Sequence, residues 1–92
     1  MPPLSAQQVD GLLATVPEWQ VESGELTRTV QFKDFRAALG FVNQVGELAE
    51  AAGHHPDIDI RYNKVRLALV THDAGGLTAK DFDLAGQVDR IA

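Results

Sequence analysis

Residues 57–72 read DIDIRYNKVRLALVTH. Ile58, Ile60 and Tyr62 alternate with Asp57, Asp59 and Arg61. After Asn63-Lys64, Val65, Leu67, Leu69 and Thr71 alternate with Arg66, Ala68, Val70 and His72. A period of two places alternate side chains on one face, so the stretch predicts two antiparallel strands joined by a tight turn at Asn63-Lys64. Pairing about that turn sets Tyr62 opposite Val65 and Pro56 opposite Thr71, which carries His72 back beside His55.

Upstream, the period changes to that of a helix. Asp34 is placed as an N-cap, and Phe35, Ala38, Leu39, Val42, Val45, Ala49 and Ala52 form one apolar stripe. Gly53 suits the left-handed position just past the helix end. Phe41 and Leu48 widen the stripe, and the extra width is expected to face another subunit. Glu50 falls at the margin of this arc, where a carboxylate would be partly desolvated.

Before this helix, Trp19 and Val21, then Leu26, Val30 and Phe32, alternate with polar residues around Ser23-Gly24, predicting a first hairpin. Arg28 interrupts its apolar face and is expected near the sheet edge or against a partner. At the N-terminal end, Ser5 and Gln8 form a capping box, and Val9, Leu12, Leu13 and Val16 form the apolar face of a first helix that Pro17 ends. Thr78 and Asp81 repeat the capping logic for a last helix whose buried side is Leu84, Ala85, Val88 and Ile91. The order is α-β-β-α-β-β-α. This is an α+β fold, a four-stranded antiparallel sheet with three helices on one face.

At 92 residues the chain reads as one domain, residues 1–92, with one modest core, and so small a core favours a homo-oligomer. There are no cysteines, which removes disulfides and thiolate metal sites. No signal peptide or membrane span is legible, and a cytoplasmic location is expected. The formal net charge is −5 with basic residues scattered singly, so direct binding to nucleic acid is not expected.

All three histidines fall at the second hairpin: His54 and His55 at its entry, His72 at its exit. Gly53 lets the chain leave the helix, and Pro56 biases His55 to an extended conformation, so the pair sits at a rigid junction. Glu50, one helical turn before His54, can join them. Imidazole titrates near neutrality, and such a cluster can supply both a proton donor and a proton acceptor without metal or organic cofactor. A lone histidine is most often structural, but three converging on one end of a hairpin outweigh that reading. A metal site is the rival; adjacent residues of an extended chain point to opposite sides, which works against His54 and His55 chelating one ion. Asp81 has an adequate structural role at its capping position, which is at least as favoured as a catalytic one. Tyr62 and Trp19 read as core or cleft-wall residues.

The series Glu50-x3-His54-His55-Pro56-x5-Tyr62-Asn63-Lys64-Val65, followed by Thr71-His72 and Asp81, resembles the pterin-4a-carbinolamine dehydratases. The resemblance extends over essentially the whole chain, including Trp19 and the Gly76-Leu77-Thr78-x-x-Asp81 turn. It implies dehydration of 4a-hydroxytetrahydrobiopterin to quinonoid dihydropterin, which recycles the pterin oxidised by aromatic amino acid hydroxylases. His54, His55 and His72 then stand at catalytic positions, and Glu50 at that of a carboxylate orienting a histidine. Gly53, His54, His55, Thr71, His72 and Asp73 would line the pterin site. No metal or cofactor is implied. A hydroxylase is implied as the source of substrate, and a homodimer or homotetramer as the working form. Some animal members also act as dimerisation cofactors for a transcription factor, which gives a second, non-catalytic reading. Sequence does not order acid and base; the assignment taken is His55 for the departing hydroxyl, with His54 or His72 for a ring proton.

Overall fold

The computed structural model describes residues 2–92. Its elements are α1 (Ala6–Leu13), β1 (Gln20–Glu22), β2 (Glu25–Gln31), α2 (Phe35–Ala52), β3 (Asp57–Arg61), β4 (Lys64–Leu69) and α3 (Ala79–Ile91). The strands form one antiparallel sheet in the order β1-β2-β4-β3, and the helices cover one face. Both the fold class and the order of elements agree with the sequence expectation.

Local chemistry sets each boundary. The Ser5 hydroxyl accepts from the Gln8 N–H at 3.2 Å while Gln8 Oε1 accepts from the Ser5 N–H at 2.9 Å, closing the expected capping box on α1. The helix stops at Leu13, earlier than the apolar spacing suggested. Thr15 and Val16 bond instead to the carbonyls three residues back, and Val16, disfavoured from the α region by Pro17, is buried from a turn. Ser23 and Gly24 both have positive φ (51° and 79°), the geometry a two-residue hairpin turn requires.

Arg28 corrects the expectation of an edge. It lies on an inner strand, where its Nη1 donates to Asp89 Oδ1 of α3 at 2.5 Å. The indole N–H of the buried Trp19 donates to the same oxygen at 2.7 Å, so the cation that interrupts the apolar face is matched from the helix above it.

The second hairpin forms, but in another register. The paired residues are Asp57 with Ala68, Ile60 with Val65, and Arg61 with Lys64, which puts the two-residue turn at Tyr62-Asn63. Asn63 explains the choice: its Nδ2 donates to the Phe32 carbonyl and its own carbonyl accepts from the Phe32 N–H, each at 2.8 Å. Tyr62 takes a left-handed φ of 54° and is 67% exposed, so it is a turn residue rather than core or cleft wall. Each partner is displaced by two residues, an even number, and every side chain keeps its predicted face.

The core joins Leu26, Val65, Leu67 and Leu69 of the sheet to Phe41 and Val45 of α2 and to Phe82, Leu84 and Val88 of α3. Each fully buried leucine contributes about 1.5–3 kcal/mol. The buried stripe of α2 is Ala38, Phe41, Val45 and Ala49. Phe41, expected on the extra width, packs inside against Phe32 with ring centroids 4.9 Å apart, and Leu48 also leans on the core. Phe35 (45% exposed) and Leu39 (38%), expected in the core, face outward. The buried stripe is narrower than predicted and centred nearer Phe41.

Candidate active site

The end of α2 positions two histidines. Gly53 adopts φ 62°, its N–H reaching the Glu50 carbonyl at 3.3 Å, and the His54 N–H reaches the Ala49 carbonyl at 3.1 Å. These two bonds make a Schellman ending, which fixes the direction in which His54 and His55 leave the helix. Glu50, in the last turn, turns its carboxylate to His55, whose Nε2 bonds Glu50 Oε2. Glu50 and His55 are both well exposed, which corrects the expectation of a desolvated Glu50.

His54 is held differently. Its side chain is only 12% exposed, and its Nε2 lies 2.5 Å from Oδ1 of Asp81, which is fully buried. The other oxygen, Asp81 Oδ2, accepts from the Thr78 N–H and the Thr71 hydroxyl, each at 2.9 Å. Asp81 therefore caps α3 with one oxygen and holds His54 with the other. An ionised carboxylate only accepts, so the hydrogen of this bond sits on His54 Nε2; whenever the ring is neutral, Nδ1 is then its acceptor. The same reasoning leaves Nδ1 of His55 available.

His72 arrives by a route the strand pattern did not contain. The β4 ladder ends at Leu69, and a loop closed by the Thr71–Gly76 bridge presents His72, Asp73 and Ala74 as a single 3-10 turn. Carbonyl contacts tighten it, with Ala74 and Gly75 both donating to the Thr71 carbonyl at 3.0 and 3.1 Å.

Gly53, His54, His55, Thr71, His72 and Asp73, all named from the sequence, line one cleft of about 290 Å³ together with Val70 and Lys80. Glu50 stands behind His55 and is not part of the lining. In the sequence Val70 reads only as a strand residue, and nothing there points Lys80 to the cleft. For Asp81 the sequence offers its cap and leaves a catalytic role open; its place as a histidine partner has one signal, its position at the end of the motif series. Among the described residues no three His, Asp or Glu side chains are grouped to hold a metal ion, and no helix is long and apolar enough to cross a membrane. A larger groove of about 460 Å³ lies between α1, the β1–β2 turn and Gly75-Gly76-Leu77, but Asp10 is its only titratable side chain. Chemistry, rather than size, marks the histidine cleft as the candidate site.

An antiparallel α+β sheet whose histidines, two of them backed by carboxylates, meet in one polar cleft defines a candidate acid–base site. A family model described as Pterin 4 alpha carbinolamine dehydratase matches residues 2–91, and the chain belongs to that family. It is 56% identical over 91 residues to a protein of Acidobacterium capsulatum, covering 99% of each chain. It is 59% identical over 91 residues to one of Chloroflexus aurantiacus, covering 99% of this chain and 98% of the other. Both relatives are provisionally named pterin-4-alpha-carbinolamine dehydratases. Among solved structures, a transcriptional coactivator/pterin dehydratase from Brucella melitensis superposes with a TM-score of 0.93 at 34% identity, over 98% of each chain. A pterin dehydratase-like protein identified as a RuBisCO assembly factor in the alpha-carboxysome shares the fold, with a TM-score of 0.66 at 23% identity over 80% of this chain and 86% of that one.

Proposed function

We propose that this chain is a lyase that dehydrates 4a-hydroxytetrahydrobiopterin, or a closely similar pterin-4a-carbinolamine, to quinonoid dihydropterin. The observation that carries the reading is the meeting of His54, His55 and His72 in one cleft, with Asp81 and Glu50 bonded to the first two. Membership of the family supplies the substrate class.

The reaction needs few parts. An acid protonates the hydroxyl on C4a, the C4a–O bond breaks and water leaves; a base removes a ring N–H proton and a C=N bond forms. No electrons are exchanged with a partner. His55, the more exposed of the pair, serves the departing hydroxyl and leaves water a path out; His54 or His72 takes the ring proton. Glu50 and Asp81 hold their rings in one tautomer and offset positive charge as it develops. Gly53, Thr71 and Asp73 complete the wall around the pterin. In this reading the substrate comes from an aromatic amino acid hydroxylase in the cytoplasm, and the product returns to tetrahydrobiopterin.

A second reading, a protein-binding module without catalysis, draws on the outward Phe35 and Leu39 of α2. One assay separates the two. Carbinolamine generated by a pterin-dependent hydroxylase is followed by ultraviolet absorbance, with chelator present, for wild type and the His54→Ala/His55→Ala variant. Acceleration by wild type that the variant loses is the expected result. A folded wild type that accelerates nothing would leave the binding module as the reading.

A further inference from the structure

Thr71 is the one cleft residue bonded at once to the buried carboxylate behind His54 and to the loop that carries His72. Its hydroxyl lies 2.9 Å from Asp81 Oδ2 and 2.8 Å from the Thr78 hydroxyl. A hydroxyl has one hydrogen, and a carboxylate oxygen can only accept, so Thr71 donates to Asp81 and accepts from Thr78. Thr78 and Asp81 are 1% and 0% exposed, so neither partner is readily replaced by water. The main chain of Thr71 meanwhile closes the next loop: its N–H reaches the Gly76 carbonyl at 3.2 Å, and its carbonyl accepts from Ala74 and Gly75.

We infer that Thr71 is a positioning residue, whose hydroxyl acts through Asp81 to set the tautomer and placement of His54 and ties that ring to the loop bearing His72. The inference rests on the dehydratase reading for its kinetic consequence, although the ring geometry of His54 is measurable without it. Thr71 lines the cleft, yet its hydroxyl hydrogen is spent on Asp81. A substrate in the cleft would find that hydrogen already committed, so the hydroxyl is not its donor.

Thr71→Val keeps the shape and removes the hydroxyl; Thr71→Ser keeps the hydroxyl; Thr71→Ala removes it without placing a second methyl against the carboxylate, should valine disturb folding. For valine or alanine we expect kcat to fall by about 10–100-fold, the scale seen when a group that orients an active side chain is lost, with KM changed less than about twofold. Serine restores kcat. In parallel, 15N NMR of the ligand-free protein reports the His54 ring, which is expected to hold its hydrogen on Nε2 in wild type and the serine variant and to become a tautomer mixture in the others. A raised KM with kcat intact would overturn the inference in favour of a substrate contact, as would serine behaving like valine. If wild type proves inactive, the dehydratase reading falls alone; an unaltered His54 ring in the valine and alanine variants would sink the positioning role itself.

Discussion

Asp81 Oδ1 sits 2.5 Å from His54 Nε2, and the carboxylate is fully enclosed by protein. The same side chain accepts the Thr78 N–H that opens α3, so the start of one helix and the orientation of a cleft histidine are a single hydrogen-bonded unit. Asp81→Asn separates the two roles. An amide oxygen can still accept from Thr78, but the amide nitrogen would present hydrogens to a ring nitrogen that also carries one, forcing the other tautomer. Dehydratase kcat should fall by about 10²-fold, the scale of one acid–base group, while the overall helical signal in a circular dichroism spectrum stays in place. Retained activity would remove His54 from the proton chemistry.

Glu50 offers the opposite case. Its contact with His55 is exposed on both sides. Exposed ion pairs contribute about 0–1 kcal/mol, so Glu50→Gln should leave the denaturation midpoint nearly unmoved. Catalysis should drop by about tenfold, since an orienting partner of an active ring is lost. A variant that loses stability but not turnover would make the pair structural.

The sequence was clear wherever one periodicity decided the outcome. Alternation in residues 57–72 gave two strands and their faces, and Gly53 with Pro56 gave the junction holding His54 and His55. Register was not legible, because the turn is fixed by Asn63 bonding to Phe32, thirty-one positions away along the chain. The same limit explains α2: Phe32 draws Phe41 inward and rotates the apolar stripe, leaving Leu39 outside. Asp81 shows a further limit. A capping residue satisfies its local pattern completely, so nothing nearby in sequence announces that its second oxygen serves His54.

On the open face of the sheet, Glu22 Oε1 accepts from the Thr27 hydroxyl at 2.9 Å and from Arg66 at 3.4 Å. The Thr27 bond, followed by the Arg66 contacts, holds the Glu22 carboxyl below the ordinary glutamate range. A depressed carboxyl pKa stabilises the fold at pH above the unfolded value and loses that contribution as pH falls through the folded one. Thr27→Val should therefore raise the Glu22 titration midpoint in an NMR pH series and remove a stabilisation that is full above pH about 4.3, the unfolded reference, and fades as pH falls through the folded midpoint. An unchanged midpoint would assign the depression to Arg66 and Gln20 instead.

Phe35 and Leu39 stand four residues apart on α2, so they lie one turn above the other on the same face, and both remain more than a third exposed. The inner stripe of that helix is already filled by Ala38, Phe41, Val45 and Ala49. A helix apolar on two adjoining faces in so small a chain has an unmatched surface, and a second copy offering the same face would bury it on both sides at once. We expect wild type to scatter light as a dimer or tetramer. Leu39→Glu would place a carboxylate in that contact, at a cost of several kcal/mol (about 3 or more) unless it found a partner, and should give smaller particles. Leu48→Glu is a poorer probe, because Leu48 leans on the core and its loss would confound assembly with folding. A multimeric wild type whose mass is unchanged by Leu39→Glu would move the interface elsewhere. A monomeric wild type would leave the face free for a different protein, which is what the binding-module reading requires.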